Sequence, residues 1–461
     1  MRTDSTGRHR RGSSLPAGLP GTCAARQPTQ SEGEARDYYY ENSHGAFEPI
    51  FDVYGPVTLS EDQAYYGANS FGDDIRPHIA VKEGCEAVDS QFDVDFSQYD
   101  YDGDGEVELV FMYYAGRGEN DGGGRNCIWP HQWELSKYDC NLRIDGKKID
   151  SYACTNEIAY LGASEGTLCS IGTACHEFAH AVGLPDFYDT DAGTNGNAGG
   201  LYTYSPMCSG MHNNRGRTPP YFTMEERMML GWLDDNAYRE FSVSGNYSLT
   251  SVDDQVAYRT PTDVEGEYFV YECRSKTGWD SYIQEAGLIV YHVDKSDRIV
   301  SIDSYGEMID VTAKSLWDDW EETNAVNENG SHPCFYIIPA GNQASLNVTG
   351  TFSKFDFPGA ANATSFVATS WNGVESPVKL SDITYSDNTV SFYATVLSNT
   401  LNYNVIANPG NGVYAAGSRF GLSLVPSDAQ PVSAVEWYFD DEPVSGDSVI
   451  LPAGTHVVEA H

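Results

Sequence analysis

EGTLCSIGTACHEFAHAVGLPDFYDTD, residues 165–191, decides how the rest of the chain is read. At its centre stands His176-Glu177-Phe178-Ala179-His180. Side chains four apart on a helix leave the same face one turn apart, so both imidazoles can reach one metal ion. Glu177 sits beside them, where a carboxylate can take a proton from metal-bound water. The spacing predicts a helix from about 167 to 182, apolar around the motif through Leu168, Ile171, Ala174, Phe178, Ala181 and Val182, as a buried helix should be. Gly183 and Pro185 stop it. Three protein ligands and an open position are what a hydrolytic zinc site needs. Asp186, ten residues after the first histidine, is the third candidate; Asp189 and a more distant glutamate are the alternatives.

The 461 residues exceed one ordinary core and predict two or three domains. Glycine at 45, tyrosine at 31 and 13% aromatic residues point to many turns and strands, hence an α+β or β-rich protein. With 27 basic against 67 acidic residues, the net charge of −40 argues against nucleic acid and anionic membranes as partners. No run of about 18 apolar residues is present, so no membrane-spanning helix is expected. Residues 1–36 are polar and basic without an apolar h-region and read as a disordered leader, not a signal peptide.

From Asp37 the aromatic run DYYYENSHGAFEPIFDVYGPVTL reads as strand. Residues 76–90 carry Ile79, Val81, Cys85 and Val88 roughly on one helical face. Asp100, Asp102, Asp104 and Gly105 then open a D-x-D-x-D-G calcium loop, but Phe111 stands where its bidentate glutamate belongs. The competing reading is an acidic turn before a strand at 107–114. The Gly-rich run 116–126 lacks the Lys-Ser/Thr of a phosphate cradle and reads as a surface loop. In IWPHQW, His131 between tryptophans reads as a packing or hydrogen-bonding residue, with a role near the site as the alternative. A strand is expected at 149–160 and a short helix at 224–233. The polar loop 189–201 offers Asp189, Asp191 and Asn195 as further calcium ligands or, by default, a solvated loop. The ten cysteines contain no C-x-x-C pair; Cys127 with Cys140 is a local pairing possibility, buried thiols the other.

Beyond about 240, strand candidates recur at 268–272, 288–293, 335–338 and 390–395, separated by Gly, Asn and Pro turns. This predicts a β-sandwich-like region over 239–396. Residues 397–461 give another strand series, ending at GTHVVEAH in what reads as mid-strand, and are expected to form a truncated immunoglobulin-like module.

HEFAHAVGLPDFYD resembles the H-E-x-x-H-x-x-G-x-x-D signature of the immune inhibitor A family of secreted bacterial metallopeptidases, whose layout is related to metzincins. DFSQYDYDGDGEVELVFMYYAG, IWPHQW, SPMCSG followed by NNRGRTPP, LGWL, YFVYECRSKTGWD and GLIVYHVD are similar to other segments of that family, over roughly 37–395. The resemblance implies a metzincin-like zinc peptidase domain over 37–238 with an active-site helix, and zinc on His176, His180 and Asp186. It further implies Glu177 as general base and Met207 as the methionine of the turn beneath the metal. One departure stands out: two residues after that methionine, where many metzincins carry a tyrosine, this chain has Ser209. Tyr204, His212 or Tyr221 are the substitutes for steadying an oxyanion. Arg274 and Glu272 read as a structural pair.

The function expected from all this is a secreted or cell-surface zinc endopeptidase. It would be monomeric, would act on protein or peptide substrates, and would hold calcium at Asp100, Asp102 and Asp104. The rivals are a secreted binding or adhesion protein with an inert peptidase-like domain, which the intact Glu177 disfavours, and a zinc amidase, which would not explain the flanking resemblance.

Overall fold

The computed structural model describes residues 34–70, 72–159, 167–190, 198–304, 307–319, 324–330, 332–343 and 354–397, and two short strands at 2–3 and 9–10. Beyond 397 it describes 403–408, 416–417, 419–426, 437–440, 442–444, 448–450, 452 and 458–460. Two compact units emerge, Met1–Thr395 and Val396–His461. The first is α+β. The leader reading of 1–36 falls mostly outside the described residues, and its last two residues already belong to a helix.

That helix, α1 (Ala35–Asn42), corrects the strand expected from the tyrosine run. Tyrosine favours strands only weakly, and tertiary anchoring wins. Tyr38, Tyr39 and Asn42 share one buried face. The Tyr39 hydroxyl donates to the Cys175 carbonyl at 2.5 Å, and the Tyr38 hydroxyl to that of Pro220 at 2.7 Å. Helix α2 (Pro77–Phe92) starts on a proline at its first turn, where the missing N–H costs nothing. It buries Val81 and Cys85 against Phe96, Leu135 and Tyr152.

Strands β1 (Val110–Arg117), β2 (His131–Glu134), β3 (Ser151–Ala159) and β4 (Thr167–Leu168) form the first sheet. β3 is central: β1 runs parallel to it, and β2 and β4 pair antiparallel with its other edge. Helix α3 (Ile171–Ala181) carries the motif and begins later than the sequence predicts, because Thr167 and Leu168 are spent on the sheet. Its Gly172 lets the kinked 3-10 segment Ser209–Gly216 approach closely: a Cβ there would lie 1.9 Å from the Met211 carbonyl oxygen. Helix α4 (Met224–Met229) opens with a capping box between Thr223 and Glu226.

Downstream, β5 (Tyr238–Glu240), β6 (Gly245–Leu249), β7 (Ala257–Pro261), β8 (Glu267–Arg274), β9 (Gly287–Asp294) and β10 (Phe335–Ile337) come in order. A five-stranded sheet runs β5-β7-β8-β9-β10. β11 (Phe366–Thr369), β12 (Glu375–Ser386) and β13 (Thr389–Val396) join β6 in a four-stranded sheet ordered β6-β13-β12-β11. One apolar cluster runs from Tyr38 through Phe178, Met207 and Phe222 to Val270, Ile289, Phe335 and Phe355, so the downstream sheet and the motif helix share a core. In the second unit, β14 (Tyr403–Asn408), β15 (Arg419–Pro426), β16 (Trp437–Phe439), β17 (Glu442–Val444), β18 (Ser448–Ile450) and β19 (Val458–Ala460) make two three-stranded antiparallel sheets, β14-β15-β18 and β17-β16-β19. No helix among the described residues is long and apolar enough to cross a membrane.

The nine cysteines among the described residues are free thiols, including Cys127 and Cys140, so that pairing is not made. The buried pair of Arg274 and Glu272 is present at 3.8 Å, and a closer partner joins it. Arg274, fully buried, forks onto Asp280 (Nε–Oδ2 2.7 Å, Nη2–Oδ1 2.6 Å) and donates to the Tyr204 and Tyr221 carbonyls. Glu272 stands farther off at 3.8 Å. Removing one partner of a buried pair strands the other's charge. Asp280→Ala should therefore lose about 3–5 kcal/mol in a urea unfolding titration; a loss within 1 kcal/mol of zero, on the scale of an ordinary exposed pair, would mean Arg274 finds another counter-charge.

Candidate metal centre

His176 and His180 leave one face of α3 and are 4% and 5% exposed. Each Nδ1 faces a carbonyl: His176 that of Pro206 at 2.9 Å, His180 that of Leu184 at 2.7 Å. A carbonyl only accepts, so each Nδ1 carries the ring proton and each Nε2 turns a lone pair inward. The two Nε2 atoms are 3.2 Å apart. Asp186 Oδ1 lies 3.4 Å from the first and 3.5 Å from the second. That oxygen is buried and has no hydrogen-bond partner among the described residues.

Three lone pairs thus converge. A tetrahedral zinc ion holding nitrogen and oxygen at about 2.0–2.1 Å spaces its ligands about 3.3 Å apart, which is the spacing found. The donor set, two imidazoles and a carboxylate, suits zinc chemically. Without a cation the cluster is relieved by a proton. Burial opposes it, but the Asp186 carboxylate prevails and raises His180 to about 9. Burial, with the charge of His180, depresses His176 to about 4. Glu177, 5% exposed, is pushed up to about 8 by burial; His180 opposes this and Asp186 adds to it.

Asp186 is placed by the turn that ends α3. Gly183 adopts φ +112°, which a side chain rarely tolerates, and the chain doubles back. The Ser205-Pro206-Met207 turn then grips both arms of the cluster. Its Pro206 carbonyl takes the His176 proton, and its Met207 carbonyl accepts the Phe187 N–H at 2.9 Å. Met207 itself is fully buried in the core shared with α3. Ser205 Oγ fixes the turn, accepting from Met207 N at 2.9 Å and donating to Glu226 at 2.5 Å. On its other side Asp186 pairs with residues 324–326, a partner 140 residues away that no local motif announces.

The remaining candidates separate clearly. The Asp189 carboxylate accepts from Ala198 N at 3.1 Å and stands outside the cluster. Asp191 and Asn195 lie outside the described residues. Tyr204 spends its hydroxyl on the Glu285 carbonyl at 3.1 Å, and the Tyr221 ring lies under Arg227. His212 is near enough for its charge to act on His176. Tyr188, which sequence reasoning passed over, lies beside Asp186 and Glu177: burial and then those charges raise its phenol. His131 is a hydrogen-bonding residue, with Nε2 2.8 Å from the Tyr152 hydroxyl and Nδ1 2.6 Å from the Trp129 carbonyl. Asp100, Asp102 and Asp104 bring carboxylate oxygens within 4.8 Å of one another. Lys147 already lies 2.5 Å from Asp100 Oδ2, while Asp100 Oδ1 is buried without a partner among the described residues.

Residues 27–231 match the family model described as the immune inhibitor A peptidase M6 catalytic domain. The chain is similar to the immune inhibitor A peptidase family over that stretch, which is under half of its length. It is 29% identical over 214 residues to the Immune inhibitor A of Bacillus thuringiensis subsp. alesti, covering 42% of this chain and 31% of that protein. It is 28% identical over 177 residues to the Pre-pro-metalloprotease PrtV of Vibrio cholerae serotype O1 (strain M66-2), covering 34% of this chain and 19% of that one. The chain thus spans less than a third of the length of either relative. Within the matched region lie α3, the 205–207 turn and the whole cluster.

If the cluster is a metal site, Asp186→Ala should weaken zinc binding by about 100-fold in chelator competition, and Asp189→Ala by less than about threefold. The reverse order would transfer the ligand role to Asp189.

Proposed function

We propose that this chain is an exported zinc-dependent endopeptidase with a metzincin-like catalytic domain. The observation that carries the reading is the convergence of two inward-facing Nε2 atoms and an orphaned carboxylate oxygen beside Glu177. His176, His180 and Asp186 would hold the metal. Bound zinc supplies Lewis acidity, polarising a carbonyl and acidifying water.

The chain's own residues do the rest. Glu177 follows His176 directly, in a buried setting that favours accepting a proton near neutral pH. It takes the attacking water's proton on a carboxylate oxygen and returns it to the leaving amine nitrogen. The Pro206 and Leu184 carbonyls hold both imidazoles in the tautomer that faces inward. Tyr188, beside Asp186 and Glu177, and His212, near His176, are the candidates for steadying the substrate carbonyl as charge develops on it. Met207 floors the site as an apolar residue. The apolar burial around α3 keeps the proton between Glu177 and substrate, away from bulk water.

Peptides or proteins are the substrates this assigns. Export fits the charge of −40, and one relative is named a pre-pro-metalloprotease. The two three-stranded sheets of 397–461 support the immunoglobulin-like reading of that segment. Calcium is assigned to Asp100, Asp102 and Asp104 on the strength of the partnerless Asp100 Oδ1, with Lys147 as the charge it would displace.

Glu177→Gln should retain zinc within about threefold of the parent and lose casein hydrolysis by about 10²–10⁴-fold; cleavage at the parental rate would remove Glu177 from the mechanism. Millimolar calcium should raise the thermal midpoint of the parent and leave that of Asp104→Ala unmoved. Equal shifts in both proteins would place any calcium elsewhere.

A further inference from the structure

Asp186 lies past the end of α3, so no helical ladder fixes its backbone. What fixes it comes from far downstream. Its N–H donates to the Asn324 carbonyl at 2.7 Å, and its carbonyl accepts from Val326 N at 3.2 Å, a one-residue parallel bridge. The next carbonyl, that of Phe187, accepts from the Asn327 side-chain amide at 3.0 Å. The same amide nitrogen donates to the Phe335 carbonyl at 2.7 Å, and Asn327 Oδ1 accepts from Phe335 N at 2.9 Å. Asn327 is fully buried, and both its N–H groups and its oxygen are engaged.

Phe335 opens β10 and lies opposite Val293 in the five-stranded sheet. Asn327 is therefore a bracket between that sheet and the segment bearing the carboxylate. The Phe187 ring packs against that of Phe335 at 5.0 Å and 81°, reinforcing the same joint. Residue 324 sits at φ +60°, and its amide comes within 3.4 Å of His180 Nδ1, so the segment borders two of the three proposed ligands.

We propose that residues 324–327 form a positioning strap for the metal site, with Asn327 as the positioning residue that ties metal affinity to the five-stranded sheet. This rests on His176, His180 and Asp186 being that site. A carboxylate held in place before the ion arrives binds more tightly than one that must be ordered. By reciprocity, the ion must also order the strap.

Asn327→Asp keeps the acceptor for Phe335 N and removes both donors. It should weaken zinc binding by about 10–100-fold in chelator competition. Val390→Ala, a buried change in the four-stranded sheet, should lower the thermal midpoint while leaving zinc affinity within about twofold. Zinc affinity of Asn327→Asp within about threefold of the parent would overturn the proposal, as would a loss no larger than that of Val390→Ala. Hydrogen exchange on the unmodified chain needs no variant to fold. Adding zinc should slow exchange in peptides covering 171–186 and also in those covering 324–330. Protection confined to 171–186 refutes the strap and keeps the metal site. Protection in neither refutes the metal site and the strap with it.

Discussion

Two imidazole nitrogens and a carboxylate oxygen facing one another at 3.2–3.5 Å, out of water, repel unless positive charge sits among them. Much of the first unit is arranged to hold that unfavourable convergence. The Pro206 and Leu184 carbonyls hold the single ring proton of each neutral histidine outward, on Nδ1. Gly183 bends the chain so that a residue outside the helix meets residues on it. Gly172 allows the 209–216 segment to lie against the helix, bringing His212 near His176. A cluster so constrained would store its cost in the protein and release it on binding a cation, which is the sense in which a metal site is preorganised.

The surrounding polar core carries the same logic outward. Ser205 links the turn under the cluster to Glu226 of the capping box. Arg274 reaches across the core to the carbonyls of Tyr204 and Tyr221, which flank that turn in sequence. These are long-range, fully buried bonds, each costly to leave half made. They also show why residues past 239 cannot be regarded as a passive appendage: β8, β9 and β10 supply part of the scaffold on which the motif rests.

Much of the site was legible because its signal is local. An i, i+4 histidine pair with an intervening glutamate needs only helical geometry, and Gly183 and Pro185 mark the turn that returns Asp186 to it. The α2 helix and strands β3, β8, β9 and β13 were legible for the same reason, since apolar period and turn residues are short-range properties. What escaped was non-local. The tyrosines of α1 became helical because two of their hydroxyls reach carbonyls 136 and 182 residues away. Thr167 and Leu168 were lost from the helix to a strand partner at 158–159. Asp280 joins Glu272 as a closer partner of Arg274 through a turn whose shape composition does not reveal. The 324–327 strap is one bridge and one amide, with no periodicity to betray it.

The central claim is that His176, His180 and Asp186 bind one zinc ion together. Zinc X-ray absorption on the full chain, loaded with one equivalent of metal, tests it most directly. A first shell of two imidazole nitrogens and oxygen ligands at about 2.0–2.1 Å is predicted, with no sulfur. A scatterer at about 2.3 Å, the distance of a thiolate, or a shell without imidazole would contradict it.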